Sequence, residues 1–234
     1  MSVPARRAAA TWSARVSGLI LALVFAVPMA AVQEQPPSPL EGIESFVERG
    51  MRDWGIPGLA VSVVKDDELV WARGFGVRRL GHPEPVDADT LFNVASVSKA
   101  FNAAALGLLV DEGAIGWDDP VVEHIPQLRL YDPYVTQAAT IRDMLAHRVG
   151  LGRLTGNRLR WISARDRSEQ IQRLRHLEPE IGFREGYVYS NVLYMVAGEV
   201  VPAVTGTGWE AFVEQRLFAR LGMRRSLAGG SRLD

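Results

Sequence analysis

The chain predicts an α+β domain, with one β-hairpin set among six or seven helices. Residues Gly58 to Lys65 and Glu68 to Gly76 alternate apolar and polar side chains about Asp66-Asp67, which is the period of two strands joined by a tight turn. Elsewhere the apolar residues recur at helical spacing behind helix-start signals such as Thr140-x-x-Asp143, a capping box. Hydrophobic residues make up 47% of the 234, enough to bury the core of one domain, with room for two lobes.

The first element is not part of that domain. Arg6, Arg7 and Arg15 form a positive amino end, Leu19 to Val27 is an unbroken apolar run, and Pro28-Met29-Ala30-Ala31 offers small residues for cleavage. Residues 1–31 therefore read as a signal peptide, and the apolar run is short for a membrane span, with an uncleaved anchor as the alternative. A Pro-rich linker follows over 32–40, then a domain over 41–224 and an irregular tail over 225–234. A periplasmic or secreted protein is expected, touching a membrane only through an uncleaved signal segment.

Within the domain, Ser38-Pro39-Leu40-Glu41 is a capping box opening a helix whose apolar face is Ile43, Phe46, Val47 and Met51. The hairpin comes next. Leu91 to Val110 is apolar nearly all round, which predicts a helix at the centre of the domain, ending at Gly113. Gly116-Trp117-Asp118-Asp119-Pro120 starts a short helical segment, and Thr140 opens a helix that reaches His147. Val192 to about Val204 is a further apolar helix, and Thr207-Gly208-Trp209-Glu210 opens a last one through about Leu221. No internal repeat or low-complexity tract interrupts this order.

Charge and composition exclude several functions. Without residues 1–31 the chain carries 23 basic and 27 acidic residues, a net charge of −4, and its arginines are scattered between acids. That is no nucleic-acid footprint. There is no cysteine, so neither a disulfide nor a lipid anchor on cysteine is available. His82, His124, His147 and His176 include no pair at metal-ligand spacing, and neither a metal nor a cofactor is expected.

Ser96-Val97-Ser98-Lys99 is the most informative stretch. A serine and a lysine three apart on a helix share a face and can form a nucleophile and its proton acceptor. Ser96 would stand at the helix amino end, where free N–H groups and the macrodipole favour negative charge. The chain contains only two lysines, Lys65 and Lys99, so a lysine stands where arginine is the default, and only a lysine can serve as a base. On spacing alone the pair reads equally well as an N-cap and a surface lysine. Ser62-Val63-Val64-Lys65 repeats the spacing but lies in a strand, where positions i and i+3 face opposite ways. It is a decoy.

A second constellation, Glu185-Gly186-Tyr187-Val188-Tyr189-Ser190-Asn191, puts the phenol of Tyr189 and the carboxamide of Asn191 on a loop at a helix start. A third, Thr140 to Leu151, contains His147-Arg148-Val149-Gly150-Leu151. In this order and spacing the three motifs resemble the serine β-lactamase and penicillin-recognising family, in its class C β-lactamase, DD-peptidase and esterase branch. The resemblance runs from about Ile43 to Met223, with Val149 where a serine is usual.

The resemblance implies an antiparallel sheet flanked by helices, with a helical lobe. It implies that Ser96 is acylated, that Lys99 and Tyr189 relay its proton, that Asn191 orients the substrate, and that His147 is structural. Without the resemblance, Tyr189 reads as a core aromatic and Asn191 as an N-cap. The family completes its site with a Lys-Thr-Gly or His-x-Gly strand well downstream. Only 43 residues follow Asn191, and Thr205-Gly206 and Thr207-Gly208 follow neither a lysine nor a histidine. The expectation is a C-terminally truncated domain lacking strands of its sheet, whose exposed edge invites self-association. Its substrate would be a small molecule or a peptidoglycan-derived peptide, with an ester, amide or β-lactam bond. The rival reading is a non-catalytic remnant or binding module of the same fold.

Overall fold

Alternating valines and a pair of aspartates set the register of the hairpin in the computed structural model, which describes residues 40–156 and 166–229. Strand β1, Gly58–Lys65, pairs antiparallel with β2, Glu68–Gly76, the bounds that the alternation predicts. Asp66 and Asp67 turn the chain with φ of 52° and 63°, a left-handed pair that aspartate tolerates better than most residues. Leu59, Val61 and Val63 face Phe75, Arg73 and Trp71 across one side of the pair. An irregularity after Val63 brings Val64 opposite Leu69. At Gly74 the strand is crossed so closely that a Cβ would lie 2.4 Å from the Val86 carbonyl oxygen, so no other residue fits. Lys65 pairs with Asp66 at 3.6 Å on the exposed tip of the hairpin.

The segments read as a signal peptide and as most of the linker, with the Ser38 cap, lie outside the described residues, as do 157–165 and the last five positions. The chain divides between Gly50 and Met51. Helix α1, Ile43–Trp54, runs across that division. In the first unit its opening turn is closed by hydrogen bonds from Ile43 N to the Leu40 carbonyl and from Ser45 Oγ to the Gly42 carbonyl. The second unit holds the hairpin and all the remaining helices described.

That second unit is helical after the hairpin: α2 Ser98–Asp111, α3 Val121–His124, α4 Pro133–Ala138, α5 Ile141–Leu145, α6 Arg167–Arg173, α7 Asn191–Thr205 and α8 Trp209–Val213, the last continuing into a wider π-helical turn over Glu214–Phe218. Helix α7 is the centre. It buries Val192, Leu193, Val196, Ala197, Gly198, Val200 and Val201, so nearly its whole circumference is covered. Burying each of the valine and leucine side chains among them contributes about 1.5–3 kcal/mol. Ala105, Leu106 and Leu109 of α2, Ile141 and Met144 of α5, and Phe212 and Val213 of α8 complete the same core.

The apolar run of α2 predicts a helix buried on every side, and here the structure differs. Only Asn102, Ala105, Leu106 and Leu109 are buried on α2, while Val94 and Val97 ahead of it are 51% and 63% exposed. Helices α7 and α8 cover one face of α2, and its amino end, which carries the serine, stays open. The fold class is α+β, a small antiparallel sheet with helices.

Candidate active site

Ser96 stands in a single 3-10 turn, Ala95–Val97, that feeds directly into α2. The turn is held by the side chain of Asn93, which accepts a hydrogen bond from Ala95 N at 2.8 Å, and by Ser98 Oγ, which donates to the Ala95 carbonyl. Ala95 itself has a φ of +44°, unusual for an alanine. Lys99 lies one turn further on, and the three-residue spacing puts its ammonium back over Ser96. Lys99 Nζ donates to Ser96 Oγ at 3.3 Å and to Asn191 Oδ1 at 2.7 Å.

The second wall of the site comes from the loop before α7. Tyr189 Oη is 2.7 Å from Ser96 Oγ, and Asn191 is the first residue of the helix. The four residues Ser96, Lys99, Tyr189 and Asn191, 93 positions apart at Ser96 and Tyr189, thus share one hydrogen-bonded cluster. Lys99 Nζ also sits 4.7 Å from the centroid of the Tyr189 ring and 5.3 Å from that of Tyr194, inside cation–π range of both.

The two tyrosines are pushed apart in acidity. Partial burial alone would raise the Tyr189 phenol, but hydrogen bonds with Lys99 and Ser96 and the charges of Lys99 and Arg153 bring it below the ordinary 10.0. Tyr194 is raised by burial and by its neighbours Tyr187 and Tyr189. Tyr194 stays a phenol and donates to the Leu145 carbonyl at 3.0 Å. Tyr189 is the more readily ionised of the two.

His147 supports this wall from behind. It follows α5 with a φ of +57° and is 5% exposed. Its carbonyl accepts from Val188 N at 2.9 Å, and its Nδ1 accepts from Ser190 N at 3.0 Å. Directly after Val149, which is buried, Gly150 has a φ of +93°, and a Cβ there would lie 2.3 Å from the Ile181 carbonyl oxygen, so the turn can approach the 180–188 loop only as glycine.

One buried carboxylate locks the two segments together. The capping box at Thr140 forms in both directions, Asp143 N to Thr140 Oγ1 and Thr140 N to Asp143 Oδ2, each at 3.1 Å. The same carboxylate, fully buried, accepts from Arg148 at 2.7 Å and from Arg184 at 2.6 Å. Burial would raise its pKa, but the two guanidinium groups and the Thr140 donors outweigh it and hold it at about 2. Its stabilising effect is therefore complete above the unfolded value of 3.8 and is lost as pH falls toward about 2. Asp143→Ala, which leaves both arginines unpaired and removes the cap, is expected to destabilise the fold by about 3 kcal/mol or more, read as a shift in the urea midpoint at neutral pH. A shift under about 0.5 kcal/mol would mean that the cluster is surface decoration.

Three supporting residues have no signal in the motifs. Asn102, buried three residues after Lys99 on α2, donates to the Tyr194 carbonyl at 2.9 Å and accepts from Trp209 Nε1 at 2.8 Å, pinning α2 to α7 and α8. A polar residue inside an apolar helical run is the trace that could have pointed to it. Tyr194, at i+3 from Asn191 on α7, and Trp209 carry no such mark. Among the described residues no group of three or more His, Cys, Asp or Glu side chains could hold a metal ion.

The chain is similar in sequence and in fold to known proteins. Unguisins hydrolase ungD of Aspergillus violaceofuscus is 31% identical over 208 residues, covering 83% of this chain and 36% of that protein. Penicillin-binding protein 4* of Bacillus subtilis is 27% identical over 74% of this chain and 38% of its own length. Among solved structures, the octameric penicillin-binding protein homologue from Pyrococcus abyssi superposes with a TM-score of 0.71 at 26% identity, covering 80% of this chain and 44% of that one. D-amino acid amidase from Ochrobactrum anthropi SV3 gives 0.67 at 26% identity, over 79% of this chain and 51% of that one. The chain thus spans little more than a third of the length of these curated relatives. The sequence profile of the beta-lactamase family matches residues 43–231, so the chain belongs to that family.

Proposed function

We propose that the protein is a serine hydrolase that forms an acyl-enzyme at Ser96. The observation that carries this reading is the contact of Ser96 Oγ with both Tyr189 Oη and Lys99 Nζ, which gives an exposed hydroxyl two partners for its proton. Ser96 Oγ attacks the carbonyl carbon of an ester, amide or β-lactam, its proton passing to the Tyr189 phenolate, which the Lys99 ammonium stabilises and with which it exchanges its own proton in the relay. The tetrahedral oxyanion faces the amino end of α2, where free backbone N–H groups and the helix dipole favour negative charge. As the C–O or C–N bond breaks, the Tyr189 proton goes to the leaving group, and water then releases the acyl group by the reverse relay. Asn191, anchored on Lys99, presents its amide to the substrate.

The hydrolase names among the relatives agree with acyl transfer to water but leave the acyl group open, so the substrate class proposed is a small or peptidoglycan-derived acyl compound. Export directed by residues 1–31 fits such a substrate. The test is intact-mass measurement of protein recovered from an exporting host after exposure to a chromogenic β-lactam or a short-chain aryl ester, followed by peptide mapping. The expected result is a single acyl adduct on the peptide holding Ser96, on a chain shortened at about Ala31. The two-stranded sheet favours a second reading, a binding module of the same fold. No adduct with either compound, together with no colour released, would select it.

A further inference from the structure

We propose that His147 is a positioning residue for Tyr189, one that holds the Tyr189-Ser190-Asn191 segment in register with Ser96 only while its imidazole is neutral. The proposal rests on the acyl-enzyme reading above. Both residues that flank Tyr189 are tied to His147, Val188 through the histidine carbonyl at 2.9 Å and Ser190 through Nδ1 at 3.0 Å. The phenol between them is therefore aimed by one residue 42 positions upstream in the chain.

The second of these bonds fixes the tautomer. Ser190 N–H is a donor, and Ser190 is fully buried, so Nδ1 must present a lone pair and the ring proton sits on Nε2. The imidazole also carries the phenol mechanically, with the Tyr189 ring 4.6 Å away, Tyr194 at 5.0 Å and Tyr187 edge-on at 5.3 Å. A proton on Nδ1 would replace the acceptor by a donor aimed at another donor. It would also add a cation on the side where Lys99 already stands.

The groups facing the ring are Tyr187 and Tyr189 from the loop, Tyr194 from α7 and Lys99 from α2, while the adjoining Arg148 is committed to Asp143 together with Arg184. Of these it is the Lys99 charge that favours the neutral form, and no carboxylate of the described residues is among them. Burial, and then the charge of Lys99, hold His147 below its ordinary 6.5. The neutral ring is thus the form present at neutral pH. Because the native value lies below the unfolded one, the fold and the aim of Tyr189 weaken together as pH falls from 6.5 toward the lower native midpoint.

The experiment follows labelling of Ser96 by a fluorophosphonate between about pH 4.5 and 8, using the 234-residue chain and two variants. His147→Asn keeps an oxygen acceptor and a residue tolerant of positive φ, whereas His147→Phe keeps an aromatic ring and loses the acceptor. The Phe variant is expected to label about a hundredfold more slowly at every pH, as a misplacement of about 1 Å predicts, with the Asn variant recovering part of that loss and showing no acid limb from residue 147. The backbone amide resonance of Ser190 in the unlabelled wild-type protein should titrate with the His147 ring at a shared midpoint below 6.5. A wild-type acid limb that persists unchanged in the Asn variant, or a Ser190 amide that ignores the His147 titration, overturns the proposal. Should Phe prevent folding, the Asn profile and the amide titration decide alone. Absence of labelling at any pH alongside a coupled titration would instead remove the hydrolase reading and leave the positioning contact standing.

Discussion

Ser96→Ala is expected to lower hydrolysis of an activated ester by about four powers of ten or more, to the level that binding and the remaining donors alone sustain. The same change should leave the urea midpoint within about 0.5 kcal/mol of wild type. Both halves follow from the site. Among the described residues the Ser96 hydroxyl bonds to Tyr189 Oη and Lys99 Nζ alone, and the residue is exposed, so its removal opens no cavity and orphans no buried group. Ser62→Ala is the control, because Ser62 sits on β1 facing away from Lys65 and should lose nothing. Hydrolysis that survives Ser96→Ala, or that falls with Ser62→Ala, removes Ser96 as nucleophile.

Lys99→Arg is the second large effect, expected at about 10²–10⁴-fold in the acylation rate with helical circular dichroism near wild type. The arginine keeps a positive charge and can still lie between the Tyr189 and Tyr194 rings, so electrostatics and packing are nearly conserved. What changes is proton chemistry. A guanidinium does not give up its proton, and its planar fork cannot place one nitrogen within reach of both Ser96 Oγ and Asn191 Oδ1 as the ammonium does. The rate is measured by stopped-flow or quenched labelling beside wild type, with the two spectra from the same samples. An arginine variant that acylates within threefold of wild type would reduce Lys99 to a fixed charge.

The hairpin was legible to the residue, because period-2 alternation and a two-aspartate turn are local properties that nothing else in the sequence imitates. The pairs Ser96 and Lys99, and Tyr189 and Asn191, were legible for the same reason, each being set by a spacing of a few residues. Their meeting was legible only through the family resemblance, not from the residues themselves. It depends on α2 lying against α7, and that contact is held by Asn102 and Trp209, whose partners are 92 and 107 residues away in the chain. The misreading of α2 has a related cause. Apolarity says that a side chain can be buried, whereas which face is covered depends on neighbours, and here α7 takes the central place that the run after Ser96 predicts for α2. The Thr140 box was read as a helix start, and its further role as the anion between Arg148 and Arg184 lies in the tertiary structure alone.

The left-handed backbone at Ala95 has a consequence for how the protein fails. An L-residue held there costs about 1–2 kcal/mol, and the restraint comes from the Asn93 carboxamide, from Ser98 and from the docking of α2 behind it. The turn is a cocked spring whose latch is the helix. Anything that loosens the latch lets the spring relax first, carrying the serine out of line while the core around α7 is still intact. Activity and global order should then part company under mild denaturant, with the catalytic geometry disappearing in a step of its own well before the cooperative transition, and with substrate analogues that acylate Ser96 closing the gap between the two.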